Sequence, residues 1–191
     1  LDHVSVTGDQ NTAAVCAYNG GTLENLTVAG SIGAKDFAAG IFAASLPMKE
    51  EDETLSKLVN HAKVTADGTA AGIVAQTKEK VLLEDCVNTG VIEAAVAAGI
   101  TTAECENLVL MRCQNYAPII SSDNESYGIT SNLTANLTDC VGVSENVYPI
   151  AADANESENC LYFISGGEKL EDALLADICD ISLTIGETDA T

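Results

Sequence analysis

Tryptophan is absent from this 191-residue chain, and aromatic residues make up only 4% of it. The core must therefore be assembled from Leu, Ile, Val, Ala and Cys, without the large rings that dominate many interiors. Positive charge is almost as scarce. One arginine, Arg112, and seven lysines stand against 29 acids, for a net charge of −21. A field of that sign repels phosphate backbones and anionic lipid, which disfavours nucleic acid and membrane surfaces as partners. It can concentrate divalent cations, although a solvated acidic surface is the simpler reading. No apolar run approaches the roughly 20 residues of a bilayer span, so no membrane insertion is expected. A signal-peptide pattern is also missing. Leu1 already falls inside a repeat, so the chain is expected to be a segment of a longer protein, and missing targeting information carries no meaning. Charged residues are few, at 19%, against 47% apolar residues, which excludes a disordered polymer.

What is present is repetition. A leucine is followed three residues later by an apolar residue, then four residues on by a small one. The frames are Leu1/Val4/Gly8, Leu23/Leu26/Gly30, Leu55/Leu58/Ala62, Leu83/Cys86/Gly90, Leu110/Cys113/Ala117 and Leu137/Cys140/Ser144. Two positions beyond the small residue an apolar side chain recurs at Ile32, Val64, Ile92 and Ile119. A second motif follows, as Ala39-Gly40-Ile41, Ala71-Gly72-Ile73, Ala98-Gly99-Ile100 and Tyr127-Gly128-Ile129, with a looser Ala13-Ala14-Val15 in the first unit. Units that cannot bury their apolar side alone must stack on one another. The stretches alternate, and none before Ser165 carries helical periodicity over 10–12 residues. Each unit is thus expected to contribute two or three short strands joined by tight corners, paired in parallel with the next unit. The small residue after each first strand is expected to permit a sharp bend, glycine most readily.

The expected fold class is all-β: a single parallel β-helix (β-solenoid) of about seven irregular coils over residues 1–165, taken as right-handed by analogy with strand-crossover rules. At about 4.8 Å per coil it would form a rod on the order of 30 Å long. Residues 166–191 are assigned to a cap and tail of the same domain. There Leu170, Leu174 and Ile178 recur every four residues behind Gly166-Gly167, predicting an amphipathic helix over 168–179 that covers the last coil. A leucine-rich repeat solenoid is the alternative, since Leu23-x-x-Leu26-x-Val28 fits its first half. The polar run from Leu46 to Thr54 predicts a projecting loop.

Cys86, Cys113 and Cys140 fall where Val4, Leu26 and Leu58 stand in earlier units, and Cys160 continues that column, so they read as buried free thiols rather than bridges. Cys16, Cys105 and Cys179 lie outside it, and none of the seven cysteines has zinc-ligand spacing. Asn60, Asn88 and Asn115 share another column, where stacked side-chain amides can form a ladder. His3 and His61 read as surface residues in different columns. Sequons at Asn25, Asn124, Asn132, Asn136 and Asn155 would matter only in a eukaryotic secretory pathway.

The unit Asp85-Cys86-Val87-Asn88-Thr89-Gly90, with Ala71-Gly72-Ile73-Val74-Ala75 for its second half, resembles the GLUG-type repeats of bacterial surface proteins. The resemblance covers about residues 1–165 and is closest in the middle units. It implies a secreted or wall-attached bacterial protein, extracellular or on the cell surface, in which the repeats form an elongated non-catalytic module. The expected role is structural or adhesive, with an unknown glycan or host surface protein as partner, no cofactor and no metal. The alternative is a polysaccharide-active β-helix, a lyase or glycoside hydrolase. That chemistry needs converging carboxylates, for which Glu84, Asp85 and Asp139 are the candidates, or a basic proton acceptor with cations, for which the chain is poorly supplied. No residue is assigned a catalytic, cofactor-binding or metal-binding role. Tyr18, Tyr116, Tyr127, Tyr148 and Tyr162 form no evident sugar platform.

Overall fold

The computed structural model describes residues 1–19, 22–45, 53–77, 81–102, 108–144, 151 and 156–164. Among them it is all-β, with no helix, and every strand pair is parallel. The expected helix over 168–179 and residues 46–52 of the expected loop lie outside the described residues. Glu53 and Thr54, placed at the end of that loop, instead open the strand Glu53–Asn60.

The strands gather into three parallel sheets, of eight, three and ten strands. One sheet aligns the leucine frames: Leu23 with Leu55, Leu55 with Leu83, Leu83 with Leu110, and Leu110 with Leu137. Another aligns Ile32, Val64, Ile92 and Ile119, and also Ala13, Ala39, Ala71, Ala98 and Tyr127. The third joins Cys16–Asn19, Phe42–Ser45 and Val74–Gln76. Chain segments thus return to the same three faces, an arrangement compatible with a β-helix. The Gly-Ile motif forms a bend rather than the strand expected there, joining Phe37–Ala39 to Phe42–Ser45 and Thr69–Ala71 to Val74–Gln76; strands at this place, where a leucine-rich repeat often has a helix, argue against the horseshoe.

Alternation decides what is inside. In Val81–Glu84 the side chains of Val81 and Leu83 are buried, while Leu82 and Glu84 are partly exposed. Leu55, Leu83, Leu110, Ile73, Ile100, Ile92 and Ile119 are all fully buried in one core. Each such side chain contributes roughly 1.5–3 kcal/mol by leaving water.

Two readings need correction. The first unit does not follow its own leucine frame: Val4 pairs with Gly30 and Val6 with Ile32, so Leu1, Val4 and Gly8 sit four positions from where the frame placed them. The alternation of Val4–Thr7 sets the pairing, and Gly30 (φ 138°) makes it possible. A Cβ on Gly30 would lie 2.0 Å from the Val4 carbonyl oxygen. The same shift brings His3 level with Ala29 and His61, so the two histidines share one column after all. The second correction concerns the bends. Of the small residues, only Gly30 has a left-handed backbone. Gly90 is required by crowding instead, since a Cβ there would meet the Ala62 carbonyl oxygen at 1.9 Å.

Candidate functional site

A left-handed corner recurs in six successive units, at Asn25, Lys57, Asp85, Arg112, Asp139 and Asn159, each with φ between 52° and 57°. The flanking register places these residues in one column. Four of the six are Asn or Asp, the types that tolerate this conformation best. That enrichment was a signal for the corner which the leucine frame obscured, because the frame skips the position between its leucine and its apolar residue.

Of the candidate catalytic acids, Asp85 and Asp139 are corner residues of different units and Glu84 precedes Asp85. The Arg112 guanidinium reaches back one winding and donates to Glu84 and Asp85: Nε to Asp85 Oδ1 at 2.7 Å, with further bonds to Asp85 Oδ2 and Glu84 Oε1. The hydrogen bond from Arg112 holds the Asp85 carboxyl below its ordinary range, and the two acids push the Arg112 pKa upward. A carboxylate fixed in its ionised form beside a guanidinium is a poor proton donor. Asp139 is exposed and stands beyond Arg112 in the column, not beside Glu84 and Asp85. Lys57 pairs with Glu24 at 3.3 Å, continuing the alternation of sign along the corner.

The next residue turns inward. Cys86, Cys113, Cys140 and Cys160 stack in line with Leu26 and Leu58, as the sequence predicts. Each thiol follows a left-handed residue and donates back to a carbonyl oxygen two residues earlier, at 3.4–3.6 Å. Three of them also approach the carbonyl of the leucine one winding below: Cys86 to Leu55, Cys113 to Leu83, and Cys140 to Leu110. An aliphatic side chain has no donor for these oxygens, which accounts for thiols in an otherwise aliphatic column. Cys86, Cys113, Cys140 and Cys160 are free thiols, and burial pushes the Cys113 thiol well up.

Two residues further, Asn60, Asn88 and Asn115 are fully buried. Asn60 Nδ2 donates to Asn88 Oδ1 at 2.8 Å, and Asn88 Nδ2 to Asn115 Oδ1 at 2.7 Å. Each amide also brackets its own bend: Asn88 Nδ2 donates to the Gly90 carbonyl oxygen at 2.9 Å, and Oδ1 accepts from the Gly90 N–H at 3.3 Å. The ladder is therefore saturated by the fold, which leaves it little to offer a ligand. It also explains the second motif. A Cβ on Gly40, Gly72 or Gly99 would meet the facing asparagine's Cγ at 2.4–2.6 Å and the next glycine's carbonyl oxygen at 2.1 Å.

On the outside of the same corner, His61 Nδ1 and Thr89 Oγ1 are hydrogen-bonded across one winding at 2.5 Å. Tyr116, the next residue up, is half exposed and donates to Gln114 Oε1 at 2.7 Å. Among the described residues no three His, Cys, Asp or Glu side chains converge on a point that would hold a metal ion. Of the sequons, Asn25 and Asn124 are exposed, whereas Asn132 is buried and hydrogen-bonds Thr134. No family model matches this chain, and neither a curated protein nor a solved structure matches it.

Proposed function

We propose that this chain is a structural or adhesive repeat module of a larger extracellular bacterial protein. In this reading residues 1–165 form a right-handed β-helix of about seven windings, closed by the helix over 168–179. It acts as a rigid spacer or presents a ligand-binding surface to a glycan or a host surface protein. The observation that carries the reading is the continuity of its columns. Aliphatic and thiol side chains, amides and close-packed glycines each stack from one winding to the next, and the polar atoms of the ladder are spent on holding windings together. The resemblance of Asp85–Gly90 to GLUG-type repeats supports the extracellular setting. Against a polysaccharide-active enzyme stands Arg112, which occupies Glu84 and Asp85.

Incubation with a panel of polysaccharides should release no new reducing or unsaturated ends. A glycan and matrix-protein array should show either no saturable binding, as for a spacer, or one class of ligand, as for an adhesin. Release of ends that Asp139→Asn or a chelator abolishes would replace this reading with the enzymatic one.

A further inference from the structure

Four thiols stand in successive windings of a single column, and the column is dry for most of its length. Cys86, Cys113 and Cys140 are fully buried, while Cys160 is partly exposed. The register stacks Cys86 on Cys113, Cys113 on Cys140 and Cys140 on Cys160, one winding apart at each step. Adjacent windings are about 4.8 Å apart, which is long for the Cβ separation of about 3.8 Å that a disulfide needs. It suits a single atom placed between two sulfurs, because two metal–thiolate bonds of about 2.3 Å in line span about 4.6 Å. We propose that neighbouring thiols of this column form linear two-coordinate sites for a soft divalent d10 cation of the mercuric type, with Cys140 and Cys160 loading first.

Charge selects the ion. Binding converts two S–H bonds into two sulfur–metal bonds and releases two protons, so a divalent cation leaves a neutral complex in the core. A monovalent soft cation between two thiolates would leave a net negative charge there, which a low-dielectric interior resists. Zinc requires four ligands, and the column offers two at a time, in keeping with the lack of any three-ligand cluster among the described residues. Thiolate softness excludes calcium and magnesium. Entry is by the partly exposed flank of Cys160, near the exposed Asp139, and the net charge of −21 raises the local concentration of cations.

The test titrates mercuric chloride into the reduced full-length chain carrying Cys16→Ser, Cys105→Ser and Cys179→Ser. Proton release, thiolate-to-metal absorption and X-ray absorption are read together. The expected result is two ions per chain, two protons released per ion, two sulfurs around each ion, and a rise in Tm, because each ion ties two windings in the native state only. Adding Cys160→Ala, a change at the partly exposed end, should lower the capacity from two ions to one. The same single substitution in the otherwise unaltered chain should also remove one ion, which keeps the test independent of how the triple variant folds. One proton and one sulfur per ion, an unchanged Tm, or an unchanged capacity in Cys160→Ala would overturn the proposal.

Discussion

Replacing Asn88 by alanine strands atoms on both neighbouring windings. Asn60 Nδ2 loses its acceptor, Asn115 Oδ1 loses a donor, and both polar groups of Gly90 lose the bracket that Asn88 provides. Each buried group left short costs about 1–3 kcal/mol, and some of these atoms keep a second partner. A loss of roughly 3 kcal/mol is expected, read as a lower urea midpoint at unchanged slope. Glycine substitutions should separate by what faces them. Gly72→Ala drives a Cβ to 2.1 Å from the Gly99 carbonyl oxygen and 2.6 Å from Asn88 Cγ, neither of which can yield without opening the stack. Gly33→Ala meets Thr65 Oγ1 at 3.4 Å and Thr7 Cγ2 at 3.7 Å, both ordinary contacts with side-chain ends. The first is expected to cost more than about 3 kcal/mol or to prevent folding, and the second to stay within about 0.5 kcal/mol. Equal midpoints for the two would refute the account given of the glycine column. Thiol labelling provides a separate check at this scale. Towards a bulky alkylating reagent, Cys86, Cys113 and Cys140 should react only as fast as the chain unfolds, and Cys160 well before them.

At the scale of the strand and its corner, Arg112 joins two windings through Glu84 and Asp85. The folded pKa of Asp85 lies below its unfolded value, so the stabilisation is present above about pH 4, the ordinary aspartate range, and fades as pH falls through the folded value. Arg112→Gln should therefore lower the urea midpoint slightly at pH 7, since the pair is partly exposed to screening water, and its difference from the parent should disappear in acid. An NMR titration should show the Asp85 pKa returning upward in the variant. This corner also marks the boundary of what the sequence disclosed. The columns of Leu55/Leu83/Leu110 and Ala39/Ala71/Ala98, and the asparagine ladder, were readable because one residue type recurs at one spacing and burial enforces it. The corner was not, because Lys57 and Arg112 disguise a backbone conformation that Asn25, Asp85, Asp139 and Asn159 would have revealed. The Gly-Ile motif was recognised without its reason, since the crowding against Asn60, Asn88 and Asn115 joins residues of different windings. The first unit misled for a simpler cause: Leu1/Val4/Gly8 matches the frame by spacing, while the alternation of Val4 and Val6 governs how it pairs.

Across the whole molecule, 29 acids against eight bases repel one another over a narrow stack. Raising the ionic strength from about 10 mM to 0.15 M shortens the screening length from about 30 Å to about 8 Å. The Tm should climb by several degrees with added salt, as followed by calorimetry; a fall would mean that ion pairs such as Lys63–Glu93 outweigh the repulsion. The recurrence of one backbone frame has a further consequence, for how such a chain changes its length. Asn88 and Asn115 are 27 positions apart, and excising residues 86–112 would splice Asp85 to Cys113 with every alignment downstream kept intact. Gene duplication or loss of a whole turn keeps the columns in line, and smaller insertions are absorbed between them, as where Ile119–Tyr127 carries two more residues than Ile92–Ala98 while both ends stay aligned. Selection is held to fixed positions at the columns and is free to vary the length of the arcs between them.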